Sequence, residues 1–496
     1  MQELLDSKKN VEERRRLGQF STPSMLAEDI IAFGLNHGDI SDGISFFDPA
    51  FGTGAFYSAI LRKTSPTNII AAEGIEIDPM IAHAANMLWD GHNVKIVNAD
   101  FTKRAPDHKF NLIVCNPPYV RHHLIESAEK TRIQDRTEIV SGVRLSGLSG
   151  LYCHFLLQSV EWMEKGGLAG WLVPSEFMDV NYGKEVKSFL LSRVELLRIH
   201  RFDPKDVQFG DALVSSAILW FKNKIPENNA VAISFGGTLE NPKNCKDIEI
   251  ECLCNEQKWT RFPNKQRRNA FQDVPKLDDF FEVKRGLVTG GNDYFIMEKS
   301  KISELGLPAR FFRPILPSPR YLRETEILSD TDGYPILAKQ LFLLDCRLSE
   351  REIRSDFPKL FDYLESGKNT IANGYICKNR KCWYIQEYRD SAELVFTYMG
   401  RKTDSKNNNA FRFILNHSKA VVTNSYYALY PRRTLSIYFS RFPYLKRKVW
   451  LMLNALTSDS LDDEGRVYGG GLQKIEPKEL MNIDVPFLAD IEKLLT

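Results

Sequence analysis

Short apolar runs alternate with amphipathic stretches over the early part of the chain. Ile44–Asp48, Ile69–Ile77, Val94–Asn98 and Phe110–Asn116 read as strands, and helices are predicted near Gly54–Arg62 and Pro79–Trp89 between them. That alternation predicts a doubly wound α/β domain with a mostly parallel sheet and right-handed crossovers. Residues 150–178 (GLYCHFLLQSVEWMEKGGLAGWLVPSEFM) continue it as a helix, a Gly-Gly turn and a buried strand. Residues 121–147 are polar and read as a mobile segment that offers Arg121, His122, His123 and Arg144 to phosphates. The texture then changes over residues 222–275, which are rich in Asn, Lys and Pro. The expected organisation is a first domain over 1–240, a transition segment over 241–275 and a mixed α+β domain over 276–496. In the last of these, Glu352–Lys368 and Pro443–Thr457 read as amphipathic helices, with Pro443 in a first-turn position where its missing N–H is tolerated.

Composition narrows the class. A chain of 496 residues with 43% hydrophobic content can bury ample core. It contains no apolar run near the roughly 20 residues that span a bilayer, and its first residues are charged without an apolar core, so the expectation is a cytoplasmic protein without a membrane partner. The net charge of +2 hides an asymmetry: from Lys276 onward there are 34 Lys+Arg against 29 Asp+Glu, and before it 32 against 35. Basic clusters beside aromatics, such as Lys265–Arg268 and Lys446–Lys448, suit nucleic acid. The eight cysteines lack paired zinc-ligand spacing and nearby histidines, so no metal is expected.

In doubly wound sheets ligands lie beyond the carboxyl ends of the strands. The first strand ends in FDPAFGTGAF, where Asp48, Ala50 and Gly52 lie in a tight turn leading to a helix N-terminus. The spacing does not fit G-x-G-x-x-G, and no Gly-Lys-Ser/Thr follows, so dinucleotide and phosphate loops are excluded. The second strand delivers Glu76, suited to accept from both hydroxyls of a ribose; the third delivers Asp100, an acceptor for an exocyclic amine, and Phe101, a surface for a purine. Strand-end acids also serve as caps, and Phe101 also suits a core. The fourth strand breaks at Asn116-Pro117-Pro118-Tyr119, where two prolines stop the ladder. In the second domain VKRGLVTGGNDYF (283–295) carries Lys284, Arg285 and Asn292 as donors to bases or phosphates.

Together FDPAFGTGAF, Glu76, Asp100-Phe101 and Asn116-Pro-Pro-Tyr119 resemble the cofactor site and catalytic loop of amino-group DNA methyltransferases. LGQFSTPSMLAEDI (17–30) resembles the family's N-terminal cofactor motif, and the motif order resembles the gamma class of N6-adenine enzymes of restriction-modification systems. The resemblance implies that Thr22-Pro23 closes over the methionine end of S-adenosyl-L-methionine, that Leu151-Tyr152 and Phe155 lie on a helix behind the cofactor, and that Phe209 flanks the target base. The segment 283–295 and later landmarks, among them NRKCWYIQ (379–386) and VVTNSYYALYP (421–431), resemble a TaqI-like target-recognition domain. Double-stranded DNA is the implied substrate, with a monomeric enzyme and a separate cognate endonuclease. Methyltransferases of RNA or of protein glutamine use the same corner, and a non-catalytic DNA-binding subunit is the other alternative.

The corner has a chemical rationale. An adenine amine is a poor nucleophile because its lone pair is delocalised into the ring. The Asn116 side-chain oxygen and the Pro117 carbonyl supply two fixed acceptors for its hydrogens, which drives the nitrogen toward tetrahedral geometry. Tyr119 is expected to stack on the base, which must leave the duplex to reach them. On this reading an Asp at 116 would keep the acceptor.

Overall fold

The computed structural model describes residues 18–203, 215–263, 274–401, 410–456, 461, 465–468 and 472–489. Two compact units result: residues 1–268 with 468–471, and residues 269–467 with 472–496.

The first unit is built on nine strands: β1 (Ile44–Asp48), β2 (Ile69–Glu76), β3 (Lys95–Asn98), β4 (Phe110–Cys115), β5 (Met163–Pro174), β6 (Glu195–Arg201), β7 (Ser216–Lys222), β8 (Ala230–Gly237) and β9 (Pro242–Glu249). Their order is β3-β2-β1-β4-β5-β7-β6-β8-β9. Pairing is parallel from β3 to β5, and antiparallel where β7 inserts between β5 and β6. The order therefore reverses between β1 and β4, which opens a crevice at their carboxyl ends. Alternate residues supply separate cores, as a two-residue side-chain period requires. Phe47, Ile113, Ala169 and Leu219 join one buried cluster, and Phe46, Leu112, Leu168 and Ile218 the other. The helices α1 (Ser24–His37), α2 (Ala55–Lys63) and α3 (Pro79–Leu88) include the two predicted between the first strands.

Three expectations for this first unit need correction. Residues 121–147 are not a loop: α4 (Ser127–Ser141) fills most of that stretch and packs on α5 (Leu151–Gln158). Its buried stripe is Ile133, Thr137 and Ser141, two of them polar, so no apolar periodicity announces it. The polar groups are satisfied inside the packing: Thr137 Oγ1 donates to Ile133 O at 2.7 Å, lies 2.8 Å from His154 Nδ1 and accepts from Gln158 Nε2 at 2.8 Å. Burial lowers the His154 pKa to about 4, so the imidazole is neutral at pH 7. The Gly166-Gly167 pair lies within β5, where the register against β4 shifts, rather than in a turn. Finally, residues 241–263 are not a linker, because β9 completes the first sheet and Leu253, Trp259 and Phe262 join its core.

The second unit is mixed α+β. Phe281–Arg285, Tyr427–Pro431, Leu394–Phe396, Phe413–Asn416 and Glu326–Ile327 form one sheet in that order, and Ile296–Glu298, Leu341–Leu344 and Phe312–Ile315 a smaller antiparallel one. The predicted helix over 352–368 is two helices, Glu350–Asp356 and Pro358–Gly367, because Pro358 disfavours helical geometry at Phe357, which takes ψ 62°. The helix after Pro443 is present as Tyr444–Asn454.

Replacing Thr137 by Val keeps the shape of the α4 stripe but orphans His154 Nδ1 in the core and leaves Gln158 Nε2 only its long 3.5 Å bond to Ile133 O. An orphaned group costs about 1–3 kcal/mol. Urea denaturation is expected to show Thr137→Val well below wild type and Thr137→Ser near it.

Candidate active site at the strand ends

A cavity of about 840 Å³ opens where β1, β2, β3 and β4 end, closed on its sides by residues 18–24, α4 and α5. Thr22, Asp48, Ala50, Gly52, Glu76, Asp100, Phe101 and Asn116 all line it, as do Leu151 and Phe155. Pro23, Pro117 and Tyr119 are not among the residues that line it.

The strand-end acids are held by backbone donors. Asp48 accepts from Ala50 N–H at 3.0 Å. Glu76 Oε2 accepts from Gly52 N–H at 3.0 Å and Oε1 from Asp78 N–H at 2.9 Å, which ties the glycine loop to the end of β2. Asp100 Oδ1 accepts from Thr102 N–H at 2.9 Å and from its hydroxyl at 2.7 Å. Arg132 on α4 donates to Thr102 O at 2.9 Å and to Glu129 at 2.7 and 3.0 Å, binding the helix to this corner. Phe101 is 2% exposed, packed between Phe155 and Trp162, and still borders the cavity, so it is both core and lining.

Asp48 is only 1% exposed. Burial pushes its pKa up to about 8, against the hydrogen bond from Ala50 and one from the Cys115 thiol, while the nearby Glu76 carboxylate adds to the rise. Burial therefore favours the protonated Asp48 carboxyl at neutral pH.

At the Asn-Pro-Pro-Tyr corner the Asn116 amide is fixed in one orientation. Its Nδ2 donates to Phe20 O at 2.9 Å and to Thr22 Oγ1 at 3.1 Å, so both N–H groups are used. Its Oδ1 is buried and accepts no hydrogen bond from the described residues. The chain carrying Phe20 is locked in turn, since Tyr119 N–H donates to Gly18 O at 3.1 Å. Gly18, at φ +64°, approaches so closely that a Cβ there would lie 2.5 Å from Tyr119 N. Tyr119 donates from its hydroxyl to Leu172 O at 3.1 Å, with its ring 5.5 Å from that of Phe20.

Sequence reasoning placed Thr22 near the cofactor but missed its bond to Asn116, and it missed Gly18, Phe20, Glu129 and Arg132 altogether. The surroundings of Asn116 argue against Asp at that position. A carboxylate would set an oxygen against the Phe20 carbonyl where Nδ2 now donates. Arg144 is also not free for phosphates: it pairs with Asp135 at 3.1 Å and Glu138 at 2.5 Å. In the second unit Lys284 meets Glu282 at 2.9 Å and Arg285 meets Glu476 at 2.8 Å, while Asn292 Oδ1 accepts from Thr289 Oγ1 at 2.6 Å. Phe209 and the 265–268 basic cluster lie outside the described residues. Among the described residues no group of His, Cys, Asp and Glu is placed to hold a metal ion, and no helix is long and apolar enough to cross a membrane.

Residues 64–208 match the family model for the Eco57I restriction-modification methylase, and residues 256–495 match that for the C-terminal domain of the Type II methyltransferase M.Eco57I. Over both stretches the chain is similar to the Eco57I-type restriction-modification methylases. It is 27% identical over 491 residues to the Type II methyltransferase M.AccI of Acinetobacter calcoaceticus, covering 95% of this chain and 85% of the relative. To M.XamI of Xanthomonas campestris pv. amaranthicola it is 26% identical over 494 residues, covering 96% and 86%. The fold is similar to that of the Type IIL enzyme MmeI solved with DNA, at TM-score 0.57 and 14% identity, over 87% of this chain and 65% of that one.

This methylase is a DNA methyltransferase whose cofactor is S-adenosyl-L-methionine. The cavity fits that group. Gly52 has open space where a Cβ would stand, six carboxyl residues border the volume (Glu28, Asp48, Glu76, Asp100, Glu126 and Glu129), and the only orphaned polar atom among the lining residues is the Asn116 acceptor.

Two measurements follow from this geometry. Asn116→Asp is expected to lose methyl transfer from tritiated cofactor as severely as Asn116→Ala, by a factor of roughly 10²–10³; Thr22→Val is expected to lose about 3- to 10-fold in kcat, with recovery in Thr22→Ser. Separately, an Asp whose folded pKa lies above its unfolded value gives stability that is complete below about pH 4 and is lost as pH rises toward 8. Apo Asp48→Asn is therefore expected to match wild type at pH 4 and to exceed it at pH 8 by on the order of a few kcal/mol in urea titrations.

Proposed function

We propose that the methylase modifies the N6 amine of adenine in duplex DNA, at a base turned out of the helix. The observation that carries this reading is the Asn116 amide, with both donors used and its oxygen left as a buried, unpartnered acceptor beside the cavity. An amine needs acceptors and no donors from its catalytic loop, which is what this orientation offers.

S-adenosyl-L-methionine, when bound, supplies an electrophilic methyl group. The residues of the chain do the rest by position and fixed dipoles. Asn116 Oδ1 and the Pro117 carbonyl receive the two amine hydrogens, hold the nitrogen near tetrahedral geometry and face the positive charge that develops as the N–C bond forms. Formation of that bond would be matched by cleavage of the methyl–sulfur bond, leaving a neutral thioether, and the methylated amine would return to neutrality by giving one proton to water. Glu76 serves the ribose hydroxyls, Asp100 and Phe101 the purine, and Asp48 the cationic end of the cofactor. Tyr119 holds the extrahelical base, and Phe209 flanks it. A separate cognate endonuclease and a monomeric state belong to the same proposal, as does recognition of the target sequence by the second unit through residues including Lys284, Arg285 and Asn292.

The test is the chemical identity of the product. DNA from cells expressing the methylase is expected to carry N6-methyladenine at one recurrent sequence, and Asn116→Ala to reduce it by a factor of roughly 10²–10³ in rate. Recovery of N4-methylcytosine in its place would sink the adenine reading while leaving the amine mechanism intact.

A further inference from the structure

In the second unit the run Gly367–Gln386 contains Lys368, Lys378, Arg380 and Lys381 and not one Asp or Glu. Two of these cations are engaged within the protein. Lys368 lies 2.9 Å from Glu350 and 2.7 Å from Glu365, and Arg380 donates to Val288 O at 2.5 Å and Trp383 O at 3.4 Å. Lys378 and Lys381 are exposed, and neither has an ion-pair partner among the described residues.

Just before Lys378 a short helical turn, Tyr375–Lys378, presents Tyr375 at 82% exposure and Ile376 at 36%. The turn itself is anchored. Lys378 N–H donates to Gly374 O at 2.9 Å and Asn379 Nδ2 to Tyr375 O at 2.7 Å. Cys377 is buried, its Sγ 3.7 Å from Thr289 O, and Gly290 is so near that a Cβ there would meet Cys377 Sγ at 2.5 Å. The glycine-rich stretch singled out in the sequence thus acts as a seat for this turn. An aromatic ring and an aliphatic chain stand on a fixed base, flanked by two uncompensated cations and by no anion over a run of twenty residues.

We propose that Tyr375 and Ile376 form a prong that contacts bases of the DNA duplex, with Lys378 and Lys381 on the adjoining phosphates. The charge favours a polyanion, and an apolar tip between cations is how proteins reach base steps from a groove. The inference rests on the reading that the second unit recognises the target.

The test uses the full chain, a duplex it methylates and a scrambled duplex, with affinities read by fluorescence anisotropy across a salt series. Tyr375→Ala/Ile376→Ala is expected to weaken the methylated-site duplex by about 10- to 100-fold and the scrambled one by less than about twofold. Lys378→Gln/Lys381→Gln is expected to weaken both and to lower the slope of log affinity against log salt by about 2. Unchanged binding of S-adenosylhomocysteine shows that each variant is folded. A prong variant that still discriminates the two duplexes as wild type does, or a lysine variant with an unaltered salt slope, overturns the proposal and leaves the recognition reading standing. Should chimeras carrying another methylase's residues 276–496 keep this enzyme's sequence preference, the recognition reading itself falls, and the prong with it.

Discussion

The site depends on one side chain being unable to turn over. Asn116 presents two chemically opposite ends, and only the donation of Nδ2 to Phe20 O and Thr22 Oγ1 decides which of them faces the cavity. A free amide would sample both orientations and offer an amine substrate a donor as often as an acceptor. Fixing it costs the protein a buried oxygen without a partner, an expense that is normally avoided. Strain of this kind is tolerated where a substrate group completes the pairing.

That bond also explains why a segment far upstream belongs to the Asn-Pro-Pro-Tyr corner. Residues 18–22 reach it through Tyr119 N–H on Gly18 O, so the two prolines fix the chain from one side and the Gly18 contact from the other. The carboxyl groups of the cavity follow the same logic. Glu76 and Asp100 are each oriented by backbone N–H groups of loops whose own paths are set by the strands, and Arg132 extends the frame to α4. Asp48 differs, because it is buried deeply enough to resist ionisation.

The second unit uses its motif residues differently. Gly286 lies so close to the backbone of Thr423 that a Cβ there would sit 2.1 Å from its carbonyl oxygen, and Leu287 N–H donates to Val422 O at 3.0 Å. The stretches 283–295 and 421–431 are therefore parts of one packed scaffold. Surface ion pairs such as Lys284–Glu282 contribute little to stability and yield readily to a stronger anion.

The sequence by itself determined the strands β1 to β4, the crevice at their ends and the strand-end residues that line it, because a parallel α/β sheet writes its strands as apolar runs and its ligands' partners at their ends. It also determined the broken ladder at Asn116-Pro-Pro-Tyr119, since proline's missing N–H acts locally. Tertiary structure alone decided what local pattern does not encode. The helix α4 is stabilised by Thr137, His154 and Gln158 meeting across two helices, a pairing no single-helix periodicity can show. The extension of the first unit through Trp259 comes from β9 finding a sheet edge. Whether Asn116 donates or accepts was settled by a carbonyl ninety-six residues away, and such a contact is visible only when the chain is folded.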